Sequence, residues 1–252
     1  SELIGIATWN FREGSLASRI QRFAELGFDA ISLRAGDATA LCRGSAPEVE
    51  DVIAKHSLAM VFHPSFVSGG ETLSEESLLT DFELYLAWHN KTGALHTVNY
   101  EAAYVEAEDG ERDYQAEAMR PVLKKMLAMS DGAGFSVGVK DWPRRREQLD
   151  AVAALKAYLH FGVLVDLGYL HLVIRRGLEP NEPFPAKAAQ NYLDRIALPI
   201  NELHVRENDG VHPIACPPTS DSSYMSSLAE MLRKKGCKGI STIEFSPESC
   251  GL

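Results

Sequence analysis

The chain has no apolar run approaching the ~20 residues that a membrane helix needs, so no membrane span is expected. No basic segment followed by an apolar stretch opens it, and no secretory leader is expected. Cysteine is scarce. The four present, Cys42, Cys216, Cys237 and Cys250, show no C-x-x-C spacing. That argues against a zinc knuckle or a disulfide scaffold and points to reduced thiols in a cytoplasmic setting. Positive charge is also short: 25 Lys and Arg face 35 Asp and Glu, a net charge of −10. Such a surface repels phosphate backbones, so nucleic acid is not an expected partner. The one dense basic run, "PRRREQ" (143–148), reads as a solvated helix start. No Pro-, Gly- or Ser-rich linker interrupts the 252 residues, which read as one domain spanning 1–252. The first apolar segment ends in "ATWNFREGS", with no glycine-rich phosphate loop, so a dinucleotide-binding open sheet and a nucleotide cofactor are not expected.

What is present is one repeated rhythm: a short β-branched segment, a polar turn, then an amphipathic stretch. The predicted strands are 3–9, 28–34, 58–63, 94–100, 135–140, 161–166, 200–205 and 239–245. Predicted helices between them include 15–27, 74–93 and 222–236, each with serine near its start and glycine at its stop. Eight strands alternating with helices in about 250 residues predict a single (β/α)8 TIM barrel of the α/β class.

In that fold the site lies at the C-terminal strand ends. Successive side chains alternate between the helices and the barrel interior. Lys140 in "VGVKDWP", Asp166 in "FGVLVD", His204 in "INELHV" and Glu244 in "STIEF" then all face inward at the catalytic end. Asp166, His204 and Glu244 form a plausible set of ligands for Mn²⁺, Mg²⁺, Co²⁺ or Zn²⁺. The bland alternative is a buried salt-bridged network, although burying several charges without a ligand or a function is costly.

The segments "VGVKDWP", "VLVDLGYLH", "INELHVRENDGVHPIACPP" and "STIEFSP" resemble the xylose-isomerase-like barrel superfamily, which includes sugar isomerases and epimerases and the apurinic endonucleases. The match in order and spacing runs over about residues 135–247; the first half matches in rhythm, with His63 as a family-like histidine. The resemblance implies an isomerase or epimerase acting on a small polyol, keto sugar or related hydroxy-carbonyl compound. In it Glu244 would be the base, supported by Asp166, with His204 and either a metal or Lys140 as the electrophile.

Two departures stand out. Lys140 occupies the place of the strand-5 glutamate ligand, and Tyr169 that of the histidine in Asp-x-x-His. An ammonium at that place competes with a divalent ion for Asp166 and Glu244, so Lys140 is expected to bond one of them and to displace the metal. Lys140→Glu is then expected to restore a four-ligand site. Schiff-base chemistry on Lys140 ranks low, because nearby carboxylates raise an amine's pKa.

Further candidates for substrate contact follow. Trp9 and Trp142 either stack on a sugar ring or close the barrel mouth. Arg206 either fixes a carboxylate or phosphate or pairs with Glu202 or Glu207. His63 is ligand, acid/base or core histidine. His212 follows the family's second histidine, though Gly210 stands where an aspartate is usual. Tyr169 completes the set, and Glu101 is a weaker inward candidate. His56, His89, His160 and His171 read as solvated. Two other functions stay open: a sugar-binding or regulatory barrel that has lost turnover, and a metal-dependent phosphoester hydrolase. A homo-oligomer also stays open.

Overall fold

The computed structural model describes residues 3–68, 71–102, 104–106, 112–114, 116–141, 152–175, 178, 183–210, 212, 215–219 and 222–247. Eight strands close into a parallel barrel: β1 (Ile4–Ala7), β2 (Ala30–Arg34), β3 (Ala59–His63), β4 (Leu95–Tyr100), β5 (Ser136–Asp141), β6 (Phe161–Asp166), β7 (Ile200–Val205) and β8 (Ile240–Ile243). Each pairs with its sequence neighbours, and β1 with β8 closes the ring. Eight α-helices stand among the described residues: α1 (Leu16–Glu25), α2 (Ala35–Cys42), α3 (Pro47–His56), α4 (Glu75–Thr92), α5 (Ala116–Met129), α6 (Leu167–Ile174), α7 (Ala186–Asp194) and α8 (Ser223–Lys235). This is the (β/α)8 architecture expected from the rhythm. None of the described helices is long and apolar enough to cross a membrane.

Local chemistry sets the element ends. Ser15, Ser74 and Ser222 each cap a helix by accepting the amide three residues on. Gly236 stops α8 at φ 76°, a left-handed conformation that costs other residues more. The predicted first strand ends two residues early, because Thr8–Asn10 turn into a 3₁₀ segment. Asn10 holds that turn: its Nδ2 donates to the Ile243 carbonyl at 2.9 Å and its Oδ1 accepts the Phe245 amide at 3.0 Å. The turn carries Trp9 over the barrel mouth.

Outward residues of the strands, among them Val137, Val139, Val163, Val165 and Leu203, join Leu123, Leu127, Leu170, Leu193 and Leu228 in the apolar layer between barrel and helices. The barrel interior is polar instead. Ser32, Thr97, Asn99, Glu202 and Thr242 are buried there. Pairing of β6 with β7 shifts after Val163, where Ile200 and then Glu202 are the partners. Asn201 falls in this irregularity, and its Nδ2 donates to Thr97 Oγ1 at 3.0 Å across the barrel.

The amides of Asn99 and Asn201 fill the space that two glycines leave. A Cβ on Gly138 would lie 2.3 Å from Asn99 Oδ1, 2.6 Å from Asn201 Nδ2 and 2.8 Å from the Gly162 carbonyl. The last is backbone and cannot swing aside. Gly138→Ala is therefore expected to cost about 1–3 kcal/mol of stability through overpacking. Urea unfolding measures it, and an unchanged midpoint would show that the barrel interior relaxes freely.

Candidate functional site

The C-terminal ends of the strands surround a pocket of about 510 Å³. Trp9, His63, Glu101, Lys140, Tyr169, His204, Arg206 and Glu244 line it, together with Arg34 and Asn99. Strand register explains the gathering. Asp166 pairs with His204 across β6 and β7, and Leu164 with Lys140 across β5 and β6. Glu244 lies one residue past β8, where its amide still donates to the Val205 carbonyl at 3.1 Å.

Asp166 is fully buried and completely engaged. Its Oδ1 accepts from Arg206 Nε at 2.9 Å and from the Tyr169 amide at 3.1 Å; the second bond caps α6. Its Oδ2 accepts from Arg206 NH2 at 2.7 Å and lies 3.2 Å from Lys140 Nζ. Arg206 therefore pairs with Asp166 in two-pronged fashion, not with Glu202 or Glu207. The expectation of those partners followed from sequence proximity. The cross-strand neighbour wins because the guanidinium fork fits both oxygens of one carboxylate. The Tyr169 ring lies beneath both cations, 4.4 Å from Arg206 Cζ and 5.6 Å from Lys140 Nζ. Burial would lower the Lys140 pKa, but Asp166 and then Glu244 outweigh it and raise the pKa above its ordinary value. Lys140 is an ammonium at neutral pH.

Glu244 faces the pocket from the other side. Its Oε1 accepts from Trp9 Nε1 at 3.1 Å, and its Oε2 is 2.8 Å from His204 Nδ1 and 3.8 Å from Arg206 NH1. Burial favours the protonated acid, yet the charges of His204 and Lys140 outweigh it and hold Glu244 well below the usual carboxylate range. Burial likewise opposes a charged His204, but Glu244 and Glu202 prevail and raise its pKa to about 9.

Glu202 is the principal residue that sequence reasoning missed. Alternation turned it inward, but nothing in the sequence gave its depth. It is buried below His204, where Oε2 accepts from Asn99 Nδ2 at 2.6 Å and Oε1 from Thr242 Oγ1 at 2.6 Å. His63 Nε2 stands 3.3 Å and His204 Nε2 3.5 Å from the same Oε1. Burial raises its pKa, and the two imidazoles overcome that to hold Glu202 ionised.

The remaining candidates divide. Trp9, His63, Tyr169 and Arg206 line the pocket, as does Glu101. His212 does not: Asp209 accepts from its amide at 2.7 Å and lies 2.6 Å from its Nδ1, which holds the ring in an exposed loop turn. Trp142 lies outside the described residues. His171, read as solvated, is only 5% exposed. Its ring stacks on Tyr224 with centroids 3.7 Å apart, and Nδ1 lies 2.9 Å from Asn208 Oδ1. His56, His89 and His160 are half-buried, each with a hydrogen-bond partner. The apolar packing around α6 explains the first case, since a face-stacked imidazole fills a helix interface as an aromatic ring does.

Asp166, His204 and Glu244 bring ligand atoms within 4.8 Å of one another, the ligand set expected from the sequence. They do not fit a divalent ion. Both oxygens of Asp166 already carry a guanidinium and one an ammonium as well. At an effective dielectric of ~20 an ion 4 Å from one unit charge feels about 4 kcal/mol per charge it carries. Two fixed cations would exclude it from this position.

No protein-family model and no curated sequence relative matches the chain. Solved structures do. A D-tagatose 3-epimerase-like protein superposes with a TM-score of 0.67 at 16% identity, over 99% of this chain and 93% of its own. A 3-keto-D-glucoside 4-epimerase from E. coli gives 0.67 at 17%, over 98% and 92%. A xylose isomerase-like TIM barrel protein from Mycobacterium smegmatis, in complex with magnesium, gives 0.64 at 17%, over 97% and 90%. At these identities the likeness is one of fold, a (β/α)8 barrel shared over nearly the whole length of each chain.

Proposed function

We propose that the pocket moves a proton next to the carbonyl of a small hydroxy-carbonyl compound, as a sugar isomerase or epimerase does, and that a tethered ammonium takes the part usually given to a metal at this position. One observation carries the reading: an ionised carboxylate, Glu244, shares a pocket with the Lys140 ammonium, and both line it. Glu244 takes a proton from the carbon beside the carbonyl. The C–H electron pair moves into a C=C bond, and the carbonyl π pair moves onto oxygen. Lys140 stabilises that oxyanion, the hydroxyl proton of the neighbouring carbon passes to it, and Glu244 returns its proton to the former carbonyl carbon, so that carbonyl and hydroxyl exchange places. Trp9 and Tyr169 offer ring faces for the apolar side of a sugar. Trp9 Nε1 also fixes the orientation of Glu244.

A pocket of about 510 Å³ suits a small carbohydrate-like molecule. The thiols Cys42 and Cys216, outside any disulfide, support a cytoplasmic setting. A phosphoester hydrolase accords less well with the net charge of −10 and with a cation-filled metal position. A binding protein without turnover is favoured by one observation: Glu244 is held well below the usual range, which weakens it as a base.

The test is carbon-bound deuterium uptake from D₂O by a panel of ketoses and keto-polyols, followed by NMR. Uptake is expected with at least one compound, and Glu244→Gln is expected to slow it by roughly 10²–10⁴-fold. Saturable binding without uptake would favour the binding protein, and unchanged uptake in Glu244→Gln would remove Glu244 as the base.

A further inference from the structure

We infer that His63, Glu202 and His204 form a binding site for a divalent transition-metal ion on the floor of the pocket, one side-chain layer below the cation-filled position beside Asp166. Each offers one ligand atom, and the three lie within 4.8 Å of one another. Two imidazoles and one carboxylate are a ligand set that suits Zn²⁺, Co²⁺ or Fe²⁺.

The distances favour an ion over a plain ion pair. A charge-assisted N–H···O bond closes to about 2.7–2.9 Å. Here the two nitrogens stand 3.3 and 3.5 Å from Glu202 Oε1. Bonds of ~2.0–2.1 Å to a tetrahedral ion put neighbouring ligand atoms roughly 3.3–3.4 Å apart. Neither His63 Nε2 nor His204 Nε2 makes a hydrogen bond among the described residues, although both are buried atoms. Buried polar atoms without a hydrogen-bond partner are rare and need an explanation. A shared ion supplies one.

The surroundings support the same assignment. Glu202 is fully buried, and its other close partners are neutral donors: Asn99, Thr242 and, at 3.4 Å, Ser32. They orient the carboxylate without cancelling its charge. Glu244 lies 2.8 Å from His204 Nδ1, on the opposite side of the ring from Glu202. Binding of the ion displaces the proton from Nε2, and Glu244 keeps a negative charge beside Nδ1, as the carboxylate behind a metal-bound histidine does. His63 and His204 both line the pocket, so the site opens toward it. Lys140 and Arg206 are neutralised one layer higher by Asp166.

The site is tested without reference to turnover. Chelator-treated protein is titrated with Zn²⁺ by calorimetry and with Co²⁺ by visible absorption. One equivalent is expected to bind, with a Co²⁺ d–d spectrum of low-coordinate nitrogen and oxygen ligation. Loss of a direct ligand should weaken binding by more than the ~10–100-fold typical of an outer-shell partner, so His63→Ala and Glu202→Gln should each do so. His63→Ala is the firmer variant, since His63 sits on the pocket wall and Glu202 anchors the barrel interior. Failure of either ion to bind stoichiometrically overturns the assignment, as does binding that survives His63→Ala.

Discussion

Asp166→Asn should cost the protein about 3–5 kcal/mol of stability, the range for breaking a buried ion pair by removing one partner. The substitution barely changes shape and leaves an oxygen for the Tyr169 amide. What it removes is the charge opposite Arg206 and Lys140. Arg206 cannot lose its proton, so a buried guanidinium would remain beside a buried ammonium. Glu244 is the next anion, 3.8 Å from Arg206 NH1, and it already holds Trp9 and His204. For a chain of this size each kcal/mol is worth ~2–4 °C in melting temperature, so a fall of about 10 °C is expected by thermal scan. A fall within a degree or two would mean that water reaches the cluster and that Asp166 is no anchor. Removing the charges together by the triple change Asp166→Leu, Lys140→Met and Arg206→Leu should cost much less, because the penalty lies in the unpaired charge and not in the absence of a pair.

That contrast marks where reading the sequence stops. Strands 161–166 and 200–205 were legible to the residue, because each is a short, largely apolar run that closes on a charged side chain, Asp166 or Arg206. Alternation put Lys140, Asp166, His204 and Glu244 on one face, and they do meet. It did not supply height within the barrel, nor which side chain reaches across to which. Glu202 is inward by the same rule as His204, yet two residues of depth turn it into the anchor beneath two imidazoles. His63 reaches that anchor from β3, and its ring centroid lies 5.1 Å from that of His204. No spacing along the chain encodes that meeting. Arg206 shows the same gap: its partner Asp166 is 40 residues away and is neither of the glutamates near it in sequence. His212 differs: a local aspartate, Asp209, holds its ring, and it is not among the residues that line the pocket.

The double variant Lys140→Glu/Arg206→Leu should create a divalent site beside Asp166 that the unmodified protein lacks. Lys140→Glu alone was expected from the sequence to restore it, on the premise that the lysine is the sole obstacle. Arg206 changes that premise. With the lysine gone, the guanidinium still grips both oxygens of Asp166 and would turn to the new carboxylate as well. The single change should therefore yield a second salt bridge and little affinity for Mn²⁺. Removing both cations and adding a carboxylate shifts the local charge by three units. At about 4 kcal/mol per pair of unit charges 4 Å apart and an effective dielectric of ~20, a gain of several powers of ten in Mn²⁺ affinity follows, since 1.4 kcal/mol is about tenfold. The measurement belongs in a His63→Ala background, where the floor site is silent and the imidazole of His204 serves one ion at most. Calorimetry should then find one tight equivalent of Mn²⁺ in the double variant and none in the Lys140→Glu protein. Tight binding by the single variant would show that Arg206 swings clear of Asp166, and the guanidinium would then be a mobile substrate ligand and not a fixed stand-in for the metal.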